Sequence, residues 1–182
     1  ICFEHRWLYG VRDGVPEDDY RVPIGKCHVV KPGNDITLVG VSYMTLECLR
    51  AAESLAKIGV SAEVIDLRSA RPLPIEQIHD SVRKTGLVLL ADHGHSFCGL
   101  SSEISAAITE HLFDCLQAPP ARIGLPDHPA PTSPVQSERY YPLHQHLTEK
   151  CMSMLKMDGV DSGVGMHSHP SDEANNSFLG PF

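Results

Sequence analysis

The chain has 182 residues, of which 42% are hydrophobic, and this size and composition predict one folded domain with a substantial apolar core. The formal net charge of -8 at pH 7 argues against binding to the phosphate backbone of a nucleic acid. No apolar run approaches the ~20 residues that span a bilayer, and the six scattered cysteines lack a CxxC pair, which predicts reduced thiols in a cytosolic protein.

Residues 1–25, called here the lead-in segment, are predicted to form a linker or a loop that follows the surface. They are charged, contain Gly10, Gly14, Pro16 and Pro23, and show little periodicity. The segment has no initiator Met and no signal-peptide layout, so we expect the chain to be part of a longer protein.

Short apolar runs then alternate with helical patterns. Strands are predicted at residues 27–30, 36–41, 62–67, 87–91 and 121–125, with a turn at Pro32–Asp35 between the first two. Helices are predicted at residues 45–57, 74–86, 101–116 and 142–156. Alternating strands and helices are typical of right-handed βαβ crossovers, and continuous apolar strands indicate a sheet covered on both faces.

We therefore expect an α/β fold. The expected architecture is a three-layer α/β/α sandwich with a mostly parallel sheet of about five strands, in which one edge strand is a candidate for antiparallel pairing. Residues 26–157 are predicted to form this domain. The tail at 158–182 is predicted to be disordered, because it is rich in Gly, Ser, His, Asp and Asn and has no apolar period.

The helical patterns also predict which residues face the core. In the first helix, the apolar residues at helical spacing are Leu46, Leu49, Ala52, Leu55 and Ala56, and Gly59 is predicted to end the helix. In the third helix, the corresponding residues are Ile104, Ala107, Ile108 and Leu112.

In parallel sheets, functional groups gather in the loops at the carboxyl ends of the strands. The loop after the second long strand contains Asp66, Arg68 and Arg71. Forked guanidinium groups suit a carboxylate or a phosphate, which predicts an anion contact. The simpler interpretation, which we favour, is that Asp66 and the arginines form salt bridges that hold the loop or a subunit interface.

A second loop, Asp92–Gly99, precedes the third helix. Its glycines could direct backbone N–H groups at an anion, although the sequence contains neither GxGxxG nor a P-loop lysine. The simpler interpretation is that Ser101 caps the helix, with Glu103 nearby.

The same loop contains His93, His95 and Cys98, which suggest either a metal site with Asp92 or a thiol nucleophile. The spacing is too close to surround one ion, and no orienting group or oxyanion hole is apparent, so we predict neither. Asp127 follows the last strand within a proline-rich connection, which we interpret as architectural or as part of an interface.

Five motifs in register along residues 1–155 resemble the transketolase-like C-terminal domain of the β subunits of pyruvate, branched-chain 2-oxoacid and acetoin dehydrogenases. These motifs are Phe3–Tyr9, residues 15–26, Asp66-Leu67-Arg68 with Pro72-Leu73, Asp92-x-Gly94 leading to Ser102-Glu103-Ile104, and Asp127-x-Pro129-x-Pro131. The chain departs from the family at Asp92, where Glu is frequent, and in having His93, His95 and Cys98.

The resemblance implies an α₂β₂ enzyme that decarboxylates a 2-oxoacid on thiamine diphosphate and Mg²⁺ and passes the acyl group to a lipoyl carrier. The family's Gly-Asp-Gly…Asn metal motif and the domain that supplies the pyrimidine-facing glutamate are absent from this chain. The resemblance therefore implies an assembly domain without catalytic, cofactor or metal residues of its own, in the cytosol or, in a eukaryote, the mitochondrial matrix.

The implied partners are a second β subunit, an α subunit and the lipoyl acyltransferase core. The residues we expect to make anion or interface contacts are Asp66, Arg68, Arg71, Asp92, Glu103 and Asp127. Two alternatives remain open. One is a transketolase or deoxyxylulose-phosphate synthase relative in which Arg68 or Arg71 binds a sugar phosphate, and the other is a separate binding module of flavodoxin-like layout.

Overall fold

The computed structural model describes residues 1–12, 14–133 and 140–157. The strands are β1 (His28–Lys31), β2 (Ile36–Gly40), β3 (Ala62–Asp66), β4 (Val88–His95) and β5 (Ala121–Leu125). The helices are α1 (Met44–Lys57), α2 (Ile75–Thr85), α3 (Leu100–Leu112) and α4 (His144–Met154). The predicted disordered tail lies outside the described residues.

The five strands form one sheet in the order β1-β3-β2-β4-β5. Strand β1 runs antiparallel to β3, and every other pair is parallel. Central strand β2 has buried residues along its whole length, as expected for a strand with helices on both faces. The predicted mostly parallel α/β fold with one antiparallel edge strand is therefore confirmed.

Each face of the sheet has its own apolar core, because successive side chains of a strand point to opposite faces. Leu38 of β2 packs in the core that α1 and α4 cover, together with Leu55 and Leu147. Val39, the next residue, packs in the core that α2 and α3 cover, together with Ile78. The two cores make the protein a three-layer sandwich.

The buried face of α1 differs from the predicted one. Leu46 and Leu49 are only half-buried and Ala56 is exposed. The fully buried apolar side chains are Met44, Cys48, Ala51, Ala52 and Leu55. The face is rotated because α1 packs against the sheet and α4 together, so small residues take positions that a single apolar stripe would not select.

The fourth predicted strand, at residues 87–91, and the third predicted helix both need correction. Strand β4 continues to His95, because after an irregularity it pairs again with β5 at Leu125. Residues predicted as loop therefore lie in a strand, and α3 begins at Leu100 with Gly99 as its N-cap and no side-chain cap. The prediction that Ser101 caps this helix is wrong.

Candidate functional site

The loop after β3 is held by an ion pair. Arg68 Nε donates to Asp66 Oδ2 at 2.7 Å, and Thr45 Oγ1 donates to Asp66 Oδ1 at 3.3 Å. Arg68 has a positive φ of 56°, which turns the chain sharply after the strand. Arg71 is exposed. Asp66 therefore already has a cation and a hydroxyl donor, while Arg71 extends into solvent.

The residues predicted at the end of β4 also have local partners. The carboxylate of Asp92 is buried and accepts the N–H of Gly94 at 2.9 Å. His95 Nδ1 lies 2.8 Å from the carbonyl of Pro126. Glu103 and Asp127 are exposed, the first in the opening turn of α3 and the second in the loop after β5.

These predicted residues do not converge on one site. Asp66 ends β3 and Asp92 lies in β4, and strand β2 separates the two. Two strand spacings place their backbones roughly 10 Å apart. No group of three His, Cys, Asp or Glu side chains among the residues described is arranged to hold a metal ion. The carboxyl edge therefore contains several small polar contacts rather than one reactive centre.

An aromatic cluster that the sequence patterns did not predict covers part of this edge. It joins the lead-in segment to the sheet and consists of His5, Trp7, Tyr43, His93 and Tyr141. The ring of His5 stacks on Tyr43 with centroids 5.4 Å apart, and Trp7 meets the same ring edge-on at 5.1 Å. Residues 5–7 of the lead-in segment are therefore docked on the sheet.

Two neutral histidines form the polar contact within this cluster. His93 Nδ1 and His5 Nε2 lie 3.3 Å apart, and His5 Nδ1 accepts the N–H of Trp7 at 3.3 Å. Burial and the neighbouring His5 lower the pKa of His93 from 6.5 to about 4, and burial also lowers the pKa of His5. His5 Nδ1 can accept the Trp7 N–H only while this nitrogen carries no proton.

Acidification should release the lead-in segment from the sheet. A base whose pKa is lower in the folded state stabilises that state above its unfolded pKa, and the contribution is lost as the pH falls from about 6.5 towards 4. Trp7 is the only tryptophan in the chain, so its emission should shift to the red over this range while the far-UV circular dichroism is unchanged.

The matched control is His93→Gln, which keeps a polar side chain of similar size but does not titrate. Its emission should depend much less on pH between 7 and 4 than that of the parent chain. An unshifted emission of the parent at pH 4, with the fold intact, would contradict the assigned role of the two histidines.

A buried carboxylate lies beneath the aromatic cluster. The side chain of Glu47 is 1% exposed and pairs with Arg50 one turn later in α1. Its other oxygen accepts the backbone N–H of His144 at 2.8 Å and lies 3.2 Å from His144 Nδ1. Glu47 thus joins α1 to the first residue of α4 through polar contacts.

The protonation of Glu47 follows from these partners. Burial alone would raise the pKa of this carboxyl, but the hydrogen bonds from His144 and the charge of Arg50 outweigh burial and lower it. The sequence contains one signal for this residue, namely a Glu between Met44 and Cys48 on the buried face of α1. That signal becomes visible only when the correct helix face is known.

The comparisons with known proteins identify the fold. A family model described as "Transketolase, C-terminal domain" matches residues 25–146. The chain belongs to the transketolase C-terminal domain family. This transketolase C-terminal domain includes the loops of Asp66 and Asp92, whereas His5 and Trp7 lie before the matched range.

Curated relatives of the domain are β subunits of several dehydrogenases. The acetoin:2,6-dichlorophenolindophenol oxidoreductase subunit beta of Bacillus subtilis is 35% identical over 84% of this chain and 45% of its own length. The 2-oxoisovalerate dehydrogenase subunit beta of the same species is 40% identical over 85% and 48%. The mitochondrial pyruvate dehydrogenase E1 component subunit beta of Dictyostelium discoideum is 42% identical over 70% and 36%.

This chain therefore spans less than half the length of these relatives. A solved structure, "Split gene transketolase, inactive beta4 tetramer", superimposes with a TM-score of 0.66 at 29% identity, covering 80% of this chain and 47% of that one. The resemblance to dehydrogenase β subunits drawn from the sequence is confirmed. In the part of the chain that the structure describes, no helix is both long and apolar enough to cross a membrane.

Proposed function

We propose that this chain is the C-terminal assembly domain of the β subunit of a thiamine-diphosphate-dependent 2-oxoacid dehydrogenase. The observation that supports this most directly is that relatives named for acetoin, pyruvate and 2-oxoisovalerate resemble the chain to a similar degree, at 35%, 42% and 40% identity. A domain shared by proteins with different substrates serves what those proteins have in common. Assembly is such a common requirement, whereas selection of the substrate is not.

In this proposal residues 26–157 are the domain and residues 1–25 are a linker from a preceding pyrimidine-binding domain. The partners are a second β subunit, an α subunit and a lipoyl acyltransferase core, in the cytosol or the mitochondrial matrix. The split-gene transketolase with the same fold is described as an inactive β4 tetramer, so a protein of this fold associates with itself while inactive. The anchoring of Trp7 against Tyr43 would hold the linker in a fixed direction.

The described residues do not fit the magnesium diphosphate of the cofactor. Magnesium is held by carboxylates and other oxygen ligands in near-octahedral geometry. The two carboxylates nearest to the expected loops already have partners, Asp66 with Arg68 and Asp92 with the Gly94 N–H. We therefore assign no step of the decarboxylation to this chain, and we place the cofactor in other parts of the enzyme.

The exposed charges of the edge loops are proposed interface contacts. Arg71, Glu103 and Asp127 are exposed, so each could pair with a neighbouring subunit without leaving a buried charge behind. The ion pair of Asp66 with Arg68 would hold its loop in shape for such a contact. A sugar-phosphate contact at Arg71, as in a transketolase relative, is the second candidate, and the structural similarity to the split-gene transketolase favours including it.

Calorimetry of the 182-residue chain and co-purification with its α subunit test the proposal together. We expect no saturable heat from thiamine diphosphate with Mg²⁺, because the residues described in the structure offer no carboxylate set for the metal. We expect the chain to co-purify with the α subunit encoded in the same genome. Tight, magnesium-dependent cofactor binding would contradict the assembly role, as would failure to bind the α subunit. Saturable binding of a sugar phosphate that Arg71→Ala abolishes would favour the second candidate.

A further inference from the structure

Residues 140–144, called here the α4 entry, lead into α4 and are packed against the aromatic cluster. The ring of Tyr141 lies 5.4 Å from that of Trp7 in the lead-in segment and 5.9 Å from that of His93 in β4, measured between ring centroids. The neighbouring Tyr140 is 5% exposed and meets Tyr141 edge-on at 5.0 Å. Rings in such edge-on pairs attract each other beyond the area that they bury. The α4 entry and the lead-in segment are therefore held together ring to ring.

A second set of contacts joins the same two segments through α1. Trp7 meets the ring of Tyr43 edge-on, and the hydroxyl of Tyr43 lies 3.5 Å from Nη1 of Arg50. Arg50 also donates to the carboxylate of Glu47, which accepts the backbone N–H of His144 at the end of the α4 entry. The lead-in segment is therefore linked to the α4 entry twice, once ring to ring and once through Tyr43 and the polar side chains of α1.

The anchor of the lead-in segment is small. Ile1, Phe3 and Tyr9 are exposed on either side of it, and Val11 is 48% exposed. A segment held by so few buried contacts opens at a small fraction of the free energy that unfolds the whole domain. Docking and release of Trp7 thus form a local two-state equilibrium, which can shift while the sheet remains folded.

We propose that docking of the lead-in segment is coupled to closure of the α4 entry, so that release of Trp7 loosens the first turn of α4 while the sheet stays folded. Coupling of this kind is carried by packed side chains and hydrogen bonds that both sites share, here the rings of Tyr43 and Tyr141. It is reciprocal, so loosening the α4 entry must also favour release of Trp7. This inference goes beyond the proposed function and does not depend on it, because it concerns the chain alone. It implies that a displacement of the residues before Trp7 is transmitted to α4.

Amide hydrogen exchange of the 182-residue chain tests the coupling from the lead-in segment. Trp7→Ala should speed exchange roughly tenfold at the amides of His146 and Leu147, which donate to the carbonyl of Leu143 in the first turn of α4. Exchange in β2 should be unchanged. The matched control is Phe3→Ala, which removes an aromatic ring from the same segment at an exposed position and should leave exchange in α4 unchanged.

Tryptophan emission tests the coupling in the opposite direction. Glu47→Gln removes the charge that faces Arg50 and weakens the hold on the α4 entry. Reciprocity then requires the emission of Trp7, the only tryptophan in the chain, to shift to the red. The matched control is Glu53→Gln at an exposed position of the same helix, which should leave the emission unchanged. Circular dichroism of each variant establishes that it folds.

The double variant Trp7→Ala with Glu47→Gln separates coupling from two independent losses. If the contacts are coupled, exchange at Leu147 in the double variant should be slower than the product of the two single effects, because either substitution alone already loosens the shared closure. Should Glu47→Gln fail to fold, Tyr43→Phe, which removes only the hydroxyl, takes its place in the double variant. Exchange in α4 that is the same for Trp7→Ala and Phe3→Ala overturns the proposal, and so do two effects that simply multiply.

Discussion

Replacing Glu47 with alanine should destabilise the fold by about 3–5 kcal/mol, because it removes one partner from a buried ionic network. The substitution leaves the backbone N–H of His144 without its acceptor and Arg50 without its carboxylate. It also removes the polar contact of α1 with the first residue of α4. Urea denaturation followed by circular dichroism measures the change as a lower midpoint at an unchanged slope.

The matched control is Glu53→Ala in the same helix, where the side chain is exposed and the change should stay within about 0.5 kcal/mol. Glu47→Gln should fall between the two, because an amide oxygen can still accept the His144 N–H while the charge opposite Arg50 is lost. Equal denaturation midpoints for Glu47→Ala and Glu53→Ala would show that the network contributes nothing to stability.

The carboxyl of Glu47 also makes the free energy of unfolding depend on pH. The pKa of Glu47 is lower in the folded state than its ordinary value of 4.5. Its contribution is therefore present above pH 4.5 and is lost as the pH falls through the lowered value. Acid should consequently act in two stages: loss of the His5–His93 contact between about pH 6.5 and 4, and then loss of the α1–α4 link below pH 4.5.

The order of strands and helices could be predicted from the sequence because each element depends on a local pattern of apolar residues. The apolar run of β2 and the helical spacing of Ile104, Ile108 and Leu112 each depend on neighbours a few residues away. The end of β4 could not be predicted in this way. His95 belongs to the strand because it pairs with Leu125, and nothing in the local pattern indicates that partner.

The candidate site was predicted only in part, for the same physical reason. The ion pair of Asp66 with Arg68 joins residues two positions apart, so the sequence could suggest it. The contacts of Glu47 with His144 and of His5 with His93 join residues 97 and 88 positions apart. Such pairs are created by the order of the strands and helices, and they become visible only after the sheet is assembled.

The turn between β1 and β2 contains a glycine that is required by packing in the assembled sheet rather than by the local sequence. Gly33 is buried, and a Cβ at this position would lie 2.2 Å from the carbonyl carbon of Ala62 and 2.3 Å from the backbone nitrogen of Glu63. Both atoms belong to the main chain of β3, so they cannot turn aside as a flexible side chain can. The Gly33 N–H also donates to Glu63 Oε2 at 3.4 Å, which fixes the turn against the strand.

Gly33→Ala should therefore destabilise the protein by about 2–3 kcal/mol through overpacking against the backbone. Gly14→Ala is the matched control, because a Cβ there meets nothing within 4 Å and the change should be close to neutral. Thermal or urea unfolding of the two variants measures the difference. Because the turn leads from β1 into β2, hydrogen exchange should show the greatest loss of protection at the β1–β3 pairing. If Gly33→Ala proved as stable as Gly14→Ala, the turn would have room to move away from β3, and the close approach seen here would not be required by the fold.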